Sequence, residues 1–281
     1  MDEIRQWIEE SPFTHSLGVC LDELGEGCVR LRLPYREENA NPGGALHGGC
    51  AASLGAIGGQ ALARAALGEG SGPWHTCQMQ VAYLAAAIRE EVRAEARLLR
   101  RGKELCFAEV SVETSHGKPI ARALTTVRGR FGAEPAAMRP SAGDDGQRDP
   151  GPMGPHIERV PFIGSRGIRV EHMTGGRSRL VMPYLEPNTD RSGGVHEGAV
   201  LALLDTTGAM AAWAESGPGP YKASTPSIQV EHLAPAPKAP LVGTGQCLQR
   251  DREVFWAEVE VADAEQARVV ARGTVLYRIL T

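Results

Sequence analysis

The chain has 281 residues, 42% of them hydrophobic, and a net charge of −4, which is long for one domain and enough to bury two cores. Its lysines and arginines are scattered, so the basic footprint of a nucleic-acid binder is missing and no nucleic-acid partner is expected. No stretch approaches the roughly 18 apolar residues of a membrane span, and "MDEIRQWIEE" lacks the charged start and apolar stretch of a signal peptide, so a cytoplasmic protein with no membrane partner is expected.

From the N-terminus, a short amphipathic helix or turn leads into a pair of alternating strands such as "CVRLRLPY". A Gly/His loop, "NPGGALHGG" at 41 to 49, then opens a run of small and apolar residues whose length and Ala/Leu content favour a helix. Being apolar almost all round, this helix should be buried. Three alternating strands should follow it, with turn signals at "RRGKE" and "SHGKP". Residues 133 to 155 are dense in Pro, Gly, Ala and Asp without an apolar period and read as a linker.

Beyond the linker the pattern repeats. Phe13 to Val112 matches Phe162 to Val261 without a gap, with about a third of the positions identical. "DRSGGVHEG" at 190 to 198 is the second Gly/His loop, and "TPSIQVEHLAPA" lies over "TCQMQVAYLAAA". The expected organisation is therefore two tandem α+β domains, 1–132 and 156–281, each a central helix wrapped by an antiparallel sheet. Six cysteines (20, 28, 50, 77, 106 and 247) form no CxxC pair and no zinc spacing, so they read as reduced, mostly buried small hydrophobes and no metal is expected.

Chemistry concentrates at the loops. Asp205 lies two turns into the second small-residue helix among Leu203, Leu204, Thr206 and Thr207, where an ionised carboxylate is costly to bury, and it is too far from the turn to act as a cap. The first copy has Ala56 at that position. His47 and His196 each precede a helix start; an imidazole bracing the turn would aim the free backbone N–H groups that follow, which is a site for a developing oxyanion. No GxSxG elbow, P-loop or dinucleotide fingerprint occurs.

An Asn, five residues, His-Gly-Gly, and an acid nine positions after the His on a buried helix resemble the hotdog-fold acyl-CoA thioesterases of the phenylacetate-pathway (PaaI-like) and 4-hydroxybenzoyl-CoA type. Asn41, His47, Gly48 and Gly49 match the loop, while His196 with Asp205 matches the His-to-acid spacing. The resemblance implies two tandem hotdog units, a Gly N–H that polarises the thioester carbonyl, and a carboxylate that attacks it or activates water. It also implies a positioning hydroxyl near Thr225, paired units with sites between them, and a further homodimer of such chains. Coenzyme A would enter as part of the substrate, with no separate cofactor.

Gly48 and Ala56 are eight residues apart on one helix, as are Glu197 and Asp205, so about 12 Å of helix separates each pair and one carbonyl cannot contact both ends. The acting amide and acid should come from different copies. Asn41, His47 and Gly48 with Asp205 and Thr225 make a complete site; Asp190, His196 and Glu197 with Ala56 make a degenerate one, lacking the acid and carrying negative charge near the oxyanion. Gly49, Leu54, Ile57, Leu201 and Leu204 are the expected acyl-pocket residues. The alternatives are a non-catalytic acyl-CoA binder or an acyl-CoA hydratase or dehydratase.

Overall fold

The computed structural model describes residues 1–68, 70–130 and 146–280. Two N-terminal helices, α1 (Asp2–Glu10) and α2 (Pro12–Leu17), precede strands β1 (Cys20–Leu24) and β2 (Cys28–Leu33). The long helix α3 (Gly48–Leu67) is followed by four strands, β3 (His75–Tyr83), β4 (Val92–Arg101), β5 (Leu105–Thr114) and β6 (Pro119–Arg128). The second copy repeats the order with short helices α4 (Gly154–Ile157) and α5 (Pro161–Ser165), strands β7 (Arg169–Thr174) and β8 (Arg177–Met182), and helix α6 (Glu197–Ser216). It ends with β9 (Lys222–His232), β10 (Leu241–Asp251), β11 (Val254–Asp263) and β12 (Val269–Leu280).

Four strands follow each long helix, rather than the expected three; the β3–β4 connection of the first copy, "LAAAIREE", has no Gly or Pro to mark the break, whereas the β9–β10 connection of the second, "LAPAPKAP", carries three prolines that do mark it. Most of the expected linker, 133–145, lies outside the described residues; its remainder already packs on the second copy. The Asp149 carbonyl accepts from the Met173 N–H at 2.7 Å, and α4 begins at Gly154.

All twelve strands form one sheet in the order β1-β2-β4-β5-β6-β3-β9-β12-β11-β10-β8-β7. The copies join edge to edge where β3 runs antiparallel to β9, and Gln80 pairs with Gln229, its own counterpart at an offset of 149, which marks the pseudo-twofold axis. Helices α3 and α6 lie side by side on the inner face, apolar nearly all round and buried along most of their length, as a helix packed on both a sheet and another helix must be. Small residues set that packing. A Cβ on Gly55 would fall 2.6 Å from the Met79 methyl, and one on Gly49 would fall 3.1 Å from the Ala202 Cβ. Gly49 is therefore a helix-packing residue. Among the described residues no helix is long and apolar enough to cross a membrane.

The N-terminal segments cross over between copies. Phe13 of the first stacks on His196 of the second with ring centroids 4.7 Å apart, and Phe162 stacks on His47 at 4.3 Å. Buried Asn39 and Asn188 secure these segments, donating from Nδ2 to the carbonyls of Leu17 (2.7 Å) and Arg166 (2.9 Å).

Candidate active site

Each Gly/His loop delivers a histidine as the N-cap of a long helix. His47 Nδ1 accepts the Gly49 N–H at 2.9 Å, and His196 Nδ1 accepts that of Gly198 at the same distance. A nitrogen that accepts is unprotonated, so Nε2 carries the proton in the neutral ring. Burial lowers both histidines to about 4, which keeps them neutral near pH 7. The Gly48 N–H, first in its helix, has no partner among the described residues, as expected for an N1 amide. Asn41 holds the loop through its backbone, accepting from Gly44 at 3.0 Å and donating to Ala45 at 2.7 Å.

From the other copy, Asp205 projects to the same point. Its Oδ2 lies 3.1 Å from the position a Cβ on Gly48 would take, so a larger residue there would push the carboxylate aside by a few tenths of an ångström. Its Oδ1 accepts from the Thr225 hydroxyl at 2.9 Å. Asp205 is 4% exposed, and burial raises its carboxyl to about 6 against the lowering effect of the Thr225 bond. Thr225 reaches this position because β9 bulges: Leu276 pairs with Ser227 and Arg278 with Ser224, leaving Thr225 and Pro226 opposite Tyr277. Tyr83 closes the other side, its hydroxyl donating to the Gly48 carbonyl at 3.2 Å; burial, with the Asp205 charge nearby, pushes the phenol well above its ordinary range.

These residues border a cavity of about 760 Å³ whose wall includes Asn41, His47, Gly48, Tyr83, Asp205 and Thr225. Leu54, Ile57, Leu201 and Leu204 are fully buried in the core, and none lines it. The apolar wall is built instead from Met153, Ile157, Met210 and Trp213 with Tyr221 and Tyr277. An apolar period along α3 or α6 marks burial but does not distinguish the side packed on the sheet from the side facing a cavity, so these wall residues carried no separate signal. Tyr83 and Asn39 were likewise invisible, since their roles depend on partners distant in sequence.

The related position between the copies is filled. Glu197, in place of Gly48, accepts from the Thr76 N–H at 3.1 Å, and its Oε1 lies 3.2 Å from His75 Nδ1. Burial works to keep this carboxyl protonated, but its bonds with His75 and Thr76 hold it below the ordinary range. Asp190 spends its Oδ1 on the N–H (2.7 Å) and hydroxyl (2.6 Å) of Ser192. Ala56 supplies no acid, and the Arg64 guanidinium, over the rings of Trp7 (3.9 Å) and Trp74 (4.8 Å), helps reduce the remaining cavity to about 90 Å³. No group of three His, Cys, Asp or Glu side chains among the described residues is placed to hold a metal ion.

Residues 192–270 match the family model described as the thioesterase superfamily, and residues 5–128 match a domain of unknown function (DUF4442). A candidate esterase of Halobacterium salinarum is 34% identical over 115 residues, which is 40% of this chain and 76% of that protein. The chain belongs to the thioesterase superfamily. It is a thioester hydrolase by class, with the hotdog fold in tandem. The acyl-CoA thioesterase II TesB2 of Mycobacterium marinum has a similar fold, with a TM-score of 0.66 at 11% identity over 97% of this chain and 98% of that one. A hotdog-fold protein of Alicyclobacillus acidocaldarius whose function is unknown superposes with a TM-score of 0.65 at 16% identity, covering 96% and 98% of the two chains. That the two halves of this thioesterase-superfamily chain match different models agrees with their divergence at Gly48/Glu197 and Ala56/Asp205.

Proposed function

We propose that this chain hydrolyses acyl-CoA thioesters at one composite site per chain. The Gly48 N–H polarises the thioester carbonyl at the start of α3. The ionised Asp205, oriented by Thr225, takes a proton from a water that attacks the carbonyl carbon and expels the coenzyme A thiolate, or itself attacks and expels the thiolate, leaving a mixed anhydride that water then hydrolyses. His47 remains neutral and braces the turn. The second position between the copies does no chemistry, since it lacks the acid and Glu197 occupies the oxyanion end.

One observation carries this reading: the 3.1 Å approach of Asp205 Oδ2 to the Cβ position of Gly48, at the wall of a cavity of about 760 Å³, while the related cavity holds about 90 Å³. The test is release of free coenzyme A from acyl-CoA thioesters, with wild type and Asp205→Asn side by side. Turnover by wild type and a loss of at least about a hundredfold in the variant are expected, about 2.7 kcal/mol of barrier. Binding of acyl-CoA without turnover in either protein would make the chain a binding protein instead.

A further inference from the structure

Resting on the hydrolase reading above, we infer that the acyl group this site accepts is of medium length, lying along α6 and stopping against Trp213. Asp205, Thr206, Ala209, Met210 and Trp213 all line the large cavity and fall on one face of the helix. Eight residues separate the carboxylate from the tryptophan, about 12 Å along the axis. An extended chain advances about 1.2 Å per bond, taking three bonds per residue of extended backbone, so at most about ten bonds fit. Trp213 leans back toward the helix N-terminus, which shortens the run, and about six to ten carbons, or an arylacyl group of that length, is what remains.

The stop is the aromatic cluster around Trp213. Trp213 is 7% exposed, its indole N–H donates to the Tyr277 hydroxyl at 3.2 Å, and the Tyr221 ring stacks on it with centroids 6.2 Å apart. The indole's only donor is thereby satisfied. Exposed Leu84, Ala85 and Ala86 form another part of the cavity wall, and the Lys118 ammonium, which donates to the Ala86 carbonyl at 2.7 Å, places a cation beside them that suits the phosphates of a coenzyme.

The duplication supplies an internal comparison. Where α6 has Ala209, Met210 and Trp213, α3 has Gln60, Ala61 and Arg64, and Gln60 and Arg64 line the small cavity, hydrogen-bonded to each other at 3.1 Å. Only the helix that carries the acid keeps an apolar floor beyond it.

The test is the chain-length profile of coenzyme A release, from acetyl-CoA to palmitoyl-CoA, for wild type, Trp213→Ala and Met210→Trp. Wild type should be most efficient with about six to ten carbons and at least about tenfold less efficient in kcat/KM with palmitoyl-CoA. Trp213→Ala should move the optimum at least about two carbons longer and Met210→Trp at least about two shorter. Efficient palmitoyl-CoA turnover by wild type, or one optimum shared by all three proteins, would overturn the inference. Thermal melting checks folding, and should Trp213→Ala fail to fold, the shift in Met210→Trp decides alone. Absence of turnover with every acyl-CoA contradicts the hydrolase reading; turnover with a flat profile contradicts only the length assignment.

Discussion

Replacing Asp205 by Asn should abolish activity and stabilise the fold, and the two effects have one cause. Burial raises the carboxyl from 3.8 in the unfolded chain to about 6 in the native one. Between those values the unfolded chain releases a proton that the folded chain retains, so stability falls as pH rises, and the loss is complete above about pH 6. A shift of about two units corresponds to about 3 kcal/mol, little reduced by solvent because the side chain is 4% exposed. Asn keeps the shape and can still accept from Thr225 through its Oδ1, so the variant escapes most of that cost, less the desolvation of one amide. The expected gain is about 1–3 kcal/mol at pH 8, or several degrees in Tm, shrinking toward zero near pH 4. Urea unfolding of both proteins at the two pH values measures it. A variant less stable than wild type at pH 8, or a difference independent of pH, would refute the premise that Asp205 is a buried, costly charge.

The Thr225 hydroxyl lowers the Asp205 carboxyl, so Thr225→Val should move the rising limb of the pH–rate profile to higher pH, by about one unit for a charge-assisted bond of roughly 1.5 kcal/mol, while wild type rises near pH 6; a midpoint unmoved or lowered would contradict this. His196→Ala removes an N-cap and the ring stacked on Phe13, which should cost roughly 2–4 kcal/mol of stability in chemical denaturation. Its turnover per folded molecule should stay within about twofold of wild type, because this histidine serves the position without an acid, whereas His47→Ala should lose both stability and turnover.

Much of the fold was legible because its signals are local or self-referential. The Gly/His turns cap helices where "NPGGALHGG" and "DRSGGVHEG" stand, and the gapless repeat made a paired architecture the simplest solution. The missed boundary between β3 and β4 has no Gly or Pro to announce it, although the corresponding connection of the second copy carries three prolines. At the site, Asp205 stood out as an acid in the apolar middle of its helix, and helix rise separated it from the loop of its own copy once the resemblance had supplied the roles of amide and acid. What the sequence did not disclose depends on tertiary packing. Leu54, Ile57, Leu201 and Leu204 have the same apolar character as the true cavity wall, but they sit in the core, while Met153 and Ile157 arrive from a segment that reads partly as linker. The stacking of Phe162 on His47 joins residues more than a hundred positions apart, beyond the reach of any periodicity.

We propose that only one of the two related positions between the copies does the chemistry. The most direct test compares coenzyme A release by Asp205→Asn and Glu197→Gln under the same conditions, normalised to folded protein. A loss of at least about a hundredfold in the first and less than about twofold in the second is the predicted result. Comparable losses in both, or full activity in Asp205→Asn, would contradict it.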